Sequence, residues 1–139
     1  MDGSVSGIKV YGEQRGAALA DFNHDGRVDL AVTQNNAATK LYVNQGAKRG
    51  LRVVLGGPPA NPDAVGARIR VLYPGDRKGP CRTIQAGSGY WSQDAGPQVL
   101  GLRESPVALW IRWPGGVERT VPLNDQVWDV RVQFENEAK

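Results

Sequence analysis

The chain has 139 residues, 40% hydrophobic and 22% charged, enough for one ordinary domain whose core needs no covalent staples. Its single cysteine, Cys81, excludes an intrachain disulfide framework, and its single histidine, His24, excludes His triads or His-cluster metal sites built from one chain. The net charge of +3 is uneven: residues 1–45 carry four basic and five acidic side chains, residues 46–139 thirteen and nine, and the basic residues are dispersed rather than clustered as a nucleic-acid surface requires. No apolar run approaches the roughly 18 residues of a membrane span. No signal segment opens the chain either.

Short strands punctuated by glycine and proline are predicted throughout, and no helix. In the first part, strands at 16–20 and 28–33 flank the polar loop Asp21–Arg27, and a third at 40–43 follows the turn-like Gln34-Asn35-Asn36. Leu51–Leu55 comes next, then the breaker Gly56-Gly57-Pro58-Pro59. Val65, Ala67, Ile69 and Val71 alternate with Gly66, Arg68 and Arg70, a period of two that marks a half-buried strand. Shorter strands are expected at Cys81–Gln85, Gln98–Leu100 and Val117–Val121. Val107, Leu109, Ile111 and Trp113 share one face of a longer strand, as do Trp128, Val130, Val132 and Phe134. Trp110 and Trp113 then point to opposite faces, Trp128 belongs to the core, and Cys81 reads as a buried small hydrophobe. The expected fold is all-β: an antiparallel β-sandwich or barrel-like domain over 46–139, preceded by a smaller β unit over 1–45 with too few apolar side chains for its own core.

Asp21, Asn23, Asp25 and Asp29 stand at positions 1, 3, 5 and 9 of a loop whose sixth residue is Gly26. Alternate oxygen side chains converge when such a loop curls, the carbonyl of Arg27 supplies position 7, and Asp29 closes the set. That donor chemistry suits Ca²⁺, with His24 turned to solvent. An EF-hand would need Glu at position 12, where Val32 stands. The competing reading is an Asx-rich turn that holds no metal.

Two further surfaces stand out. In Gly87-Ser88-Gly89-Tyr90-Trp91-Ser92-Gln93, Tyr90 and Trp91 can stack on sugar rings while Ser92 and Gln93 hydrogen-bond hydroxyls. The favoured alternative is a loop whose aromatics plug one end of the sandwich. Ser88 does not sit in a nucleophile-elbow register. Arg68, Arg70 and Arg112, with Arg82, Arg119 and Arg131, fall off the apolar faces of their strands, either as a solvated face or as a basic platform for anionic glycans. Acid pairs such as Asp94/Glu104 and Asp125/Asp129 are too common in β proteins to argue for an enzyme.

The stretch Ala18–Val32 with Leu41-Tyr42-Val43-Asn44 resembles an FG-GAP/VCBS repeat, a blade of calcium-binding β-propellers. The rest of the chain, from residue 46, resembles the ASPIC/UnbV domain of the cartilage acidic protein family and of bacterial secreted proteins. Its matching pieces are Val65-Gly66-Ala67-Arg68-Ile69, Gly87–Gln93, Gly101-Leu102 and Trp110-Ile111-Arg112-Trp113-Pro114-Gly115-Gly116. The resemblance implies a secreted or cell-envelope setting and Ca²⁺ at Asp21, Asn23, Asp25 and Asp29; the expected role is non-catalytic adhesion toward an extracellular protein or glycan. The alternative is a carbohydrate-binding module appended to a catalytic propeller. A propeller needs about 4–8 blades, so the single repeat implies a fragment, and self-association through the incomplete repeat.

Overall fold

The computed structural model describes residues 3–135. A single helical turn, α1 (Gly3–Ser6), precedes the strands and departs from the expectation of no helix. β1 (Gln14–Ala20), β2 (Asp29–Gln34) and β3 (Ala37–Tyr42) then form an antiparallel meander in the order β1-β2-β3. Asn36 takes a left-handed φ of 53° in the tight β2–β3 turn, a conformation that suits asparagine. Val32 is buried, but Leu19, Leu41 and Val43 each remain about half exposed. This sheet therefore has little core of its own, as its composition foretells.

The larger unit is two facing sheets. β4 (Leu51–Gly56) lies between β8 (Gln98–Leu100) and β11 (Asp129–Gln133). The other sheet runs β10-β9-β5-β6, from β5 (Arg68–Tyr73), β6 (Arg77–Lys78), β9 (Ala108–Arg112) and β10 (Glu118–Pro122), with β7 (Arg82–Thr83) also paired to β5. Leu51, Val53, Leu100, Val130 and Val132 from the first sheet meet Ile69, Val71, Leu109, Ile111 and Trp113 from the second in one apolar cluster. This is the sandwich that the alternating strands predict. Among the described residues no sheet closes into a barrel, so of the two expected forms the sandwich is the one observed. Nor is every pairing antiparallel: β11 runs parallel to β4, with Asp129 beside Arg52 and Gln133 beside Gly56.

Three side chains differ from expectation. Cys81 is exposed, because the strand expected to begin there shrinks to Arg82–Thr83. Trp128 is only half-buried, since its ring sits at the border of the sandwich under the Arg49 guanidinium, 3.5 Å from the ring centre. Val107 lies just outside β9 and is about half exposed, while Leu109, Ile111 and Trp113 hold the buried face.

Candidate functional site

The Asp21–Asp29 loop joins β1 to β2 and is shaped by its own side chains. Asp21 accepts the N–H groups of Asp25 (Oδ1, 2.9 Å) and Gly26 (Oδ2, 3.1 Å). Asn23 Oδ1 accepts the Asp25 N–H, and Asp25 Oδ1 accepts that of Arg27. Asp29, only 1% exposed, accepts from Phe22 through one oxygen and from Asn44 through the other. Gly26 adopts φ 80°, and a Cβ there would lie 2.6 Å from Arg49 Cγ, so both the curl and the packing require glycine. His24 is exposed, as expected, in a left-handed conformation at φ 59°.

The charges in this loop are partly balanced from within. Burial pushes the Asp25 carboxyl up, but hydrogen bonds from Asn23 and from the Arg27 backbone and side chain, with the Arg27 charge, hold it below the usual carboxylate range. Arg27 Nη1 lies 3.0 Å from Asp25 Oδ2, and its Nε donates to the Ala47 carbonyl. The oxygen-only donor chemistry of Asp21, Asn23, Asp25, Asp29 and the Arg27 carbonyl suits a hard cation, and each hydrogen-bonded carboxylate oxygen retains acceptor capacity. Among the described residues, however, no three Asp, Glu, His or Cys side chains gather into a metal-holding cluster. The carboxylates are drawn instead toward backbone N–H groups and arginines.

Arg52 carries no functional reading in the sequence, yet it is central here. It is 4% exposed on the outward face of β4, where the acidic loop covers it. Its Nη1 bonds Asp129 Oδ2 at 2.8 Å, while its Nε faces Asp21 Oδ2 at 3.6 Å without a hydrogen-bond partner. Gly50 donates to the Gly26 carbonyl beside it. The acidic loop is thus docked on the sandwich by a buried ion bridge. Its one sequence signal is a lone cation inside the apolar run Leu51-Arg52-Val53-Val54-Leu55.

The Gly87–Gln93 loop contradicts the plug reading. Tyr90 is 75% and Trp91 81% exposed, their rings 6.0 Å apart and inclined by 62°. The residues that follow them are tied to β1. Asp94 Oδ1 accepts the Leu19 N–H at 2.7 Å, Ala95 donates back to the Leu19 carbonyl, and Ser88 Oγ accepts the Asp94 N–H. Gly16 and Gly89 leave no room for a Cβ against Trp91 and Ser92. Ser92 is half-buried and Gln93 exposed. Trp91 itself has φ 53°, an uncommon conformation for a bulky side chain.

The six arginines do not form one platform. Arg68 and Arg112 are direct register partners on the outer face of the β5–β9 pair, with Arg70 on the same face. Arg82 and Arg119 are instead the partners of the buried Ile69 and Ile111, at the sheet margins, and Arg131 lies on the other sheet. The acid pairs separate too: Asp94 is bound to Leu19, Glu104 to Arg77 and Asp129 to Arg52.

Two packed sheets, one of them containing a parallel pair, with the acidic loop of the meander held against β4 by Arg52, define a small all-β domain of sandwich type. The family model described as ASPIC and UnbV matches residues 57–138, and the chain belongs to that family. No curated protein matches it. The matched stretch starts after β4, although β4 is the central strand of its sheet.

Proposed function

We propose that this chain is a non-catalytic interaction module of a secreted or cell-envelope protein, whose contact surface is the Tyr90–Trp91 tip and whose β1–β2 loop holds Ca²⁺. The observation that carries it is Trp91, a large aromatic held almost fully in water on a left-handed backbone. Strained, sparsely populated conformations cluster at ligand-contacting positions, and exposed aromatics are the usual energetic anchors of an interface. The three-stranded meander with its acidic first connection supports the FG-GAP/VCBS-like reading of residues 1–45, and the half-exposed Leu19, Leu41 and Val43 suit a repeat that packs against a neighbour, in another repeat or another copy. Bound at the loop, Ca²⁺ would supply the charge that Asp21, Asp25 and Asp29 lack from Arg27 and Arg52 alone.

The calcium assignment is tested by thermal unfolding in EDTA and then across a Ca²⁺ titration, with Mg²⁺ as control. Stabilisation should reach about 2.7 kcal/mol at a hundredfold excess over Kd. Asp25→Ala should remove it, and the absence of a Ca²⁺-selective shift would withdraw the assignment.

The exposure of both rings also favours a second reading, a carbohydrate-binding module in which they stack on a sugar. Trp91→Gly tests the loop in either case. Glycine accepts φ 53° freely, so stability should be unchanged or rise by up to about 1 kcal/mol. Tryptophan fluorescence changes on titration with neutral oligosaccharides should vanish in this variant if the second reading holds. A clear loss of stability would make Trp91 structural and sink both uses of the tip.

A further inference from the structure

The outer face of the β10-β9-β5-β6 sheet carries a charge arrangement that folding alone does not ask for. Arg68 and Arg112 stand directly opposite each other in the β5–β9 ladder. Opposed side chains in such a ladder have Cβ atoms about 4.5–5.5 Å apart, and like charges there repel. Arg70 lies two residues along β5 on the same face, beside its partner Trp110, and Lys78 extends the row as the partner of Leu72. Against these four cations the strands set one acid, Glu118, register partner of Arg112. Glu118 is already divided, with one oxygen 3.6 Å from Arg112 Nε and the other accepting the Trp110 Nε1–H at 2.9 Å. Arg68 has no ion pair among the described residues, and Arg70, lying over the Trp110 ring at 5.1 Å, keeps a buried Nε–H with no acceptor. Between Arg68 and Arg112 the surface dips into a depression of about 200 Å³, walled by Gly66 and the Pro114-Gly115-Gly116 turn.

We propose that this face binds a polyanionic saccharide, with one sulfate or carboxylate group seated between Arg68 and Arg112 and the next reaching Arg70. Planar guanidinium groups on neighbouring rigid strands offer paired N–H donors that match oxyanion geometry. An anion between the two arginines converts their repulsion into shared attraction and satisfies donors that the fold leaves open. Single-stranded nucleic acid fits less well, because it needs aromatic faces for its bases, and Trp110 is covered by Arg70 with its N–H committed to Glu118. This surface is separate from the Tyr90–Trp91 tip, so either assignment can fail without the other.

The experiment is titration of the whole chain with heparin, a sulfated polysaccharide, by calorimetry at about 0.15 M salt and at higher salt, with polyglutamate and a single-stranded oligonucleotide as competing probes. Binding should weaken as salt rises, as expected for exposed charges. Arg68→Gln with Arg112→Gln should weaken it about tenfold or more, the scale of a lost charge-assisted hydrogen bond. Arg131→Gln, on the opposite sheet, should leave it nearly unchanged. Arg68→Lys with Arg112→Lys should restore the charge but only part of the affinity. Equal loss from Arg131→Gln, full recovery with lysine, tighter binding of either competing probe, or no heparin binding at 0.15 M salt would each overturn the proposal. Arg68→Gln alone alters one exposed side chain and keeps the test readable if the double variant folds poorly.

Discussion

Replacing Arg52 with methionine should cost about 3–5 kcal/mol of unfolding free energy, the range for removing one partner of a buried ion pair. The Arg52 side chain is 5% exposed and that of Asp21 is 1% exposed, so water cannot replace the cation beside Asp21, whereas Asp129, 28% exposed, keeps some access to solvent. Methionine keeps the volume and apolar stem of the arginine, which isolates the electrostatic loss from a cavity. Asp21 would be left buried with the N–H groups of Asp25 and Gly26, and Asp129 would lose the one ion pair it makes among the described residues. Chemical denaturation followed by circular dichroism reads the loss directly. Adding Asp21→Asn to Arg52→Met removes the stranded charge and should recover a good part of it. A loss below about 1 kcal/mol for Arg52→Met would mean that the bridge is decoration on the surface of two independent units.

Leu109→Ala should cost about 2–5 kcal/mol, from lost transfer energy together with the cavity left behind. Leu109 is fully buried on β9, which is flanked on both sides by β10 and β5, so its surroundings have little freedom to collapse into the space. The effect belongs to the sandwich, far along the chain from the acidic loop. Hydrogen exchange at the Asp25 and Gly26 amides then reports whether loop and sandwich open together. If the Arg52 bridge couples them, those amides should lose protection in Leu109→Ala as well as in Arg52→Met. Loop protection untouched by Leu109→Ala would show that the loop opens locally, on its own.

Much of the sandwich could be read from periodicity. Ile69 and Val71, then Leu109, Ile111 and Trp113, then Val130 and Val132, recur at every second position and do face the core. The acidic loop was legible because its determinants are local: Asx side chains, a glycine and a spacing. What could not be read depends on residues far apart in sequence. A period of two correctly puts Arg52 opposite Leu51 and Val53, but only the folded chain shows that the acidic loop covers that side. The same holds for Trp128, which lies under the Arg49 guanidinium, and for the exposed Tyr90 and Trp91, whose loop is tied to Leu19 by the Asp94 carboxylate and the Ala95 N–H. The sorting of the arginines was likewise hidden in ladder register, which places Arg68 against Arg112 but Arg119 against Ile111.

The parallel pairing of β4 with β11 sets an order of events for a chain made from one end to the other. Arg52 and its partner Asp129 are 77 positions apart, so β4 leaves the ribosome long before the strand that covers its edge. Until β8 is made both edges of the segment that carries Leu51 and Val53 are unpaired, and until β11 follows one still is, able to recruit a strand from another molecule. At synthesis rates of about 5–20 residues per second, that exposure lasts several seconds. Closure of the sandwich is therefore a late, long-range step, which makes nascent chains, rather than the finished fold, the vulnerable species.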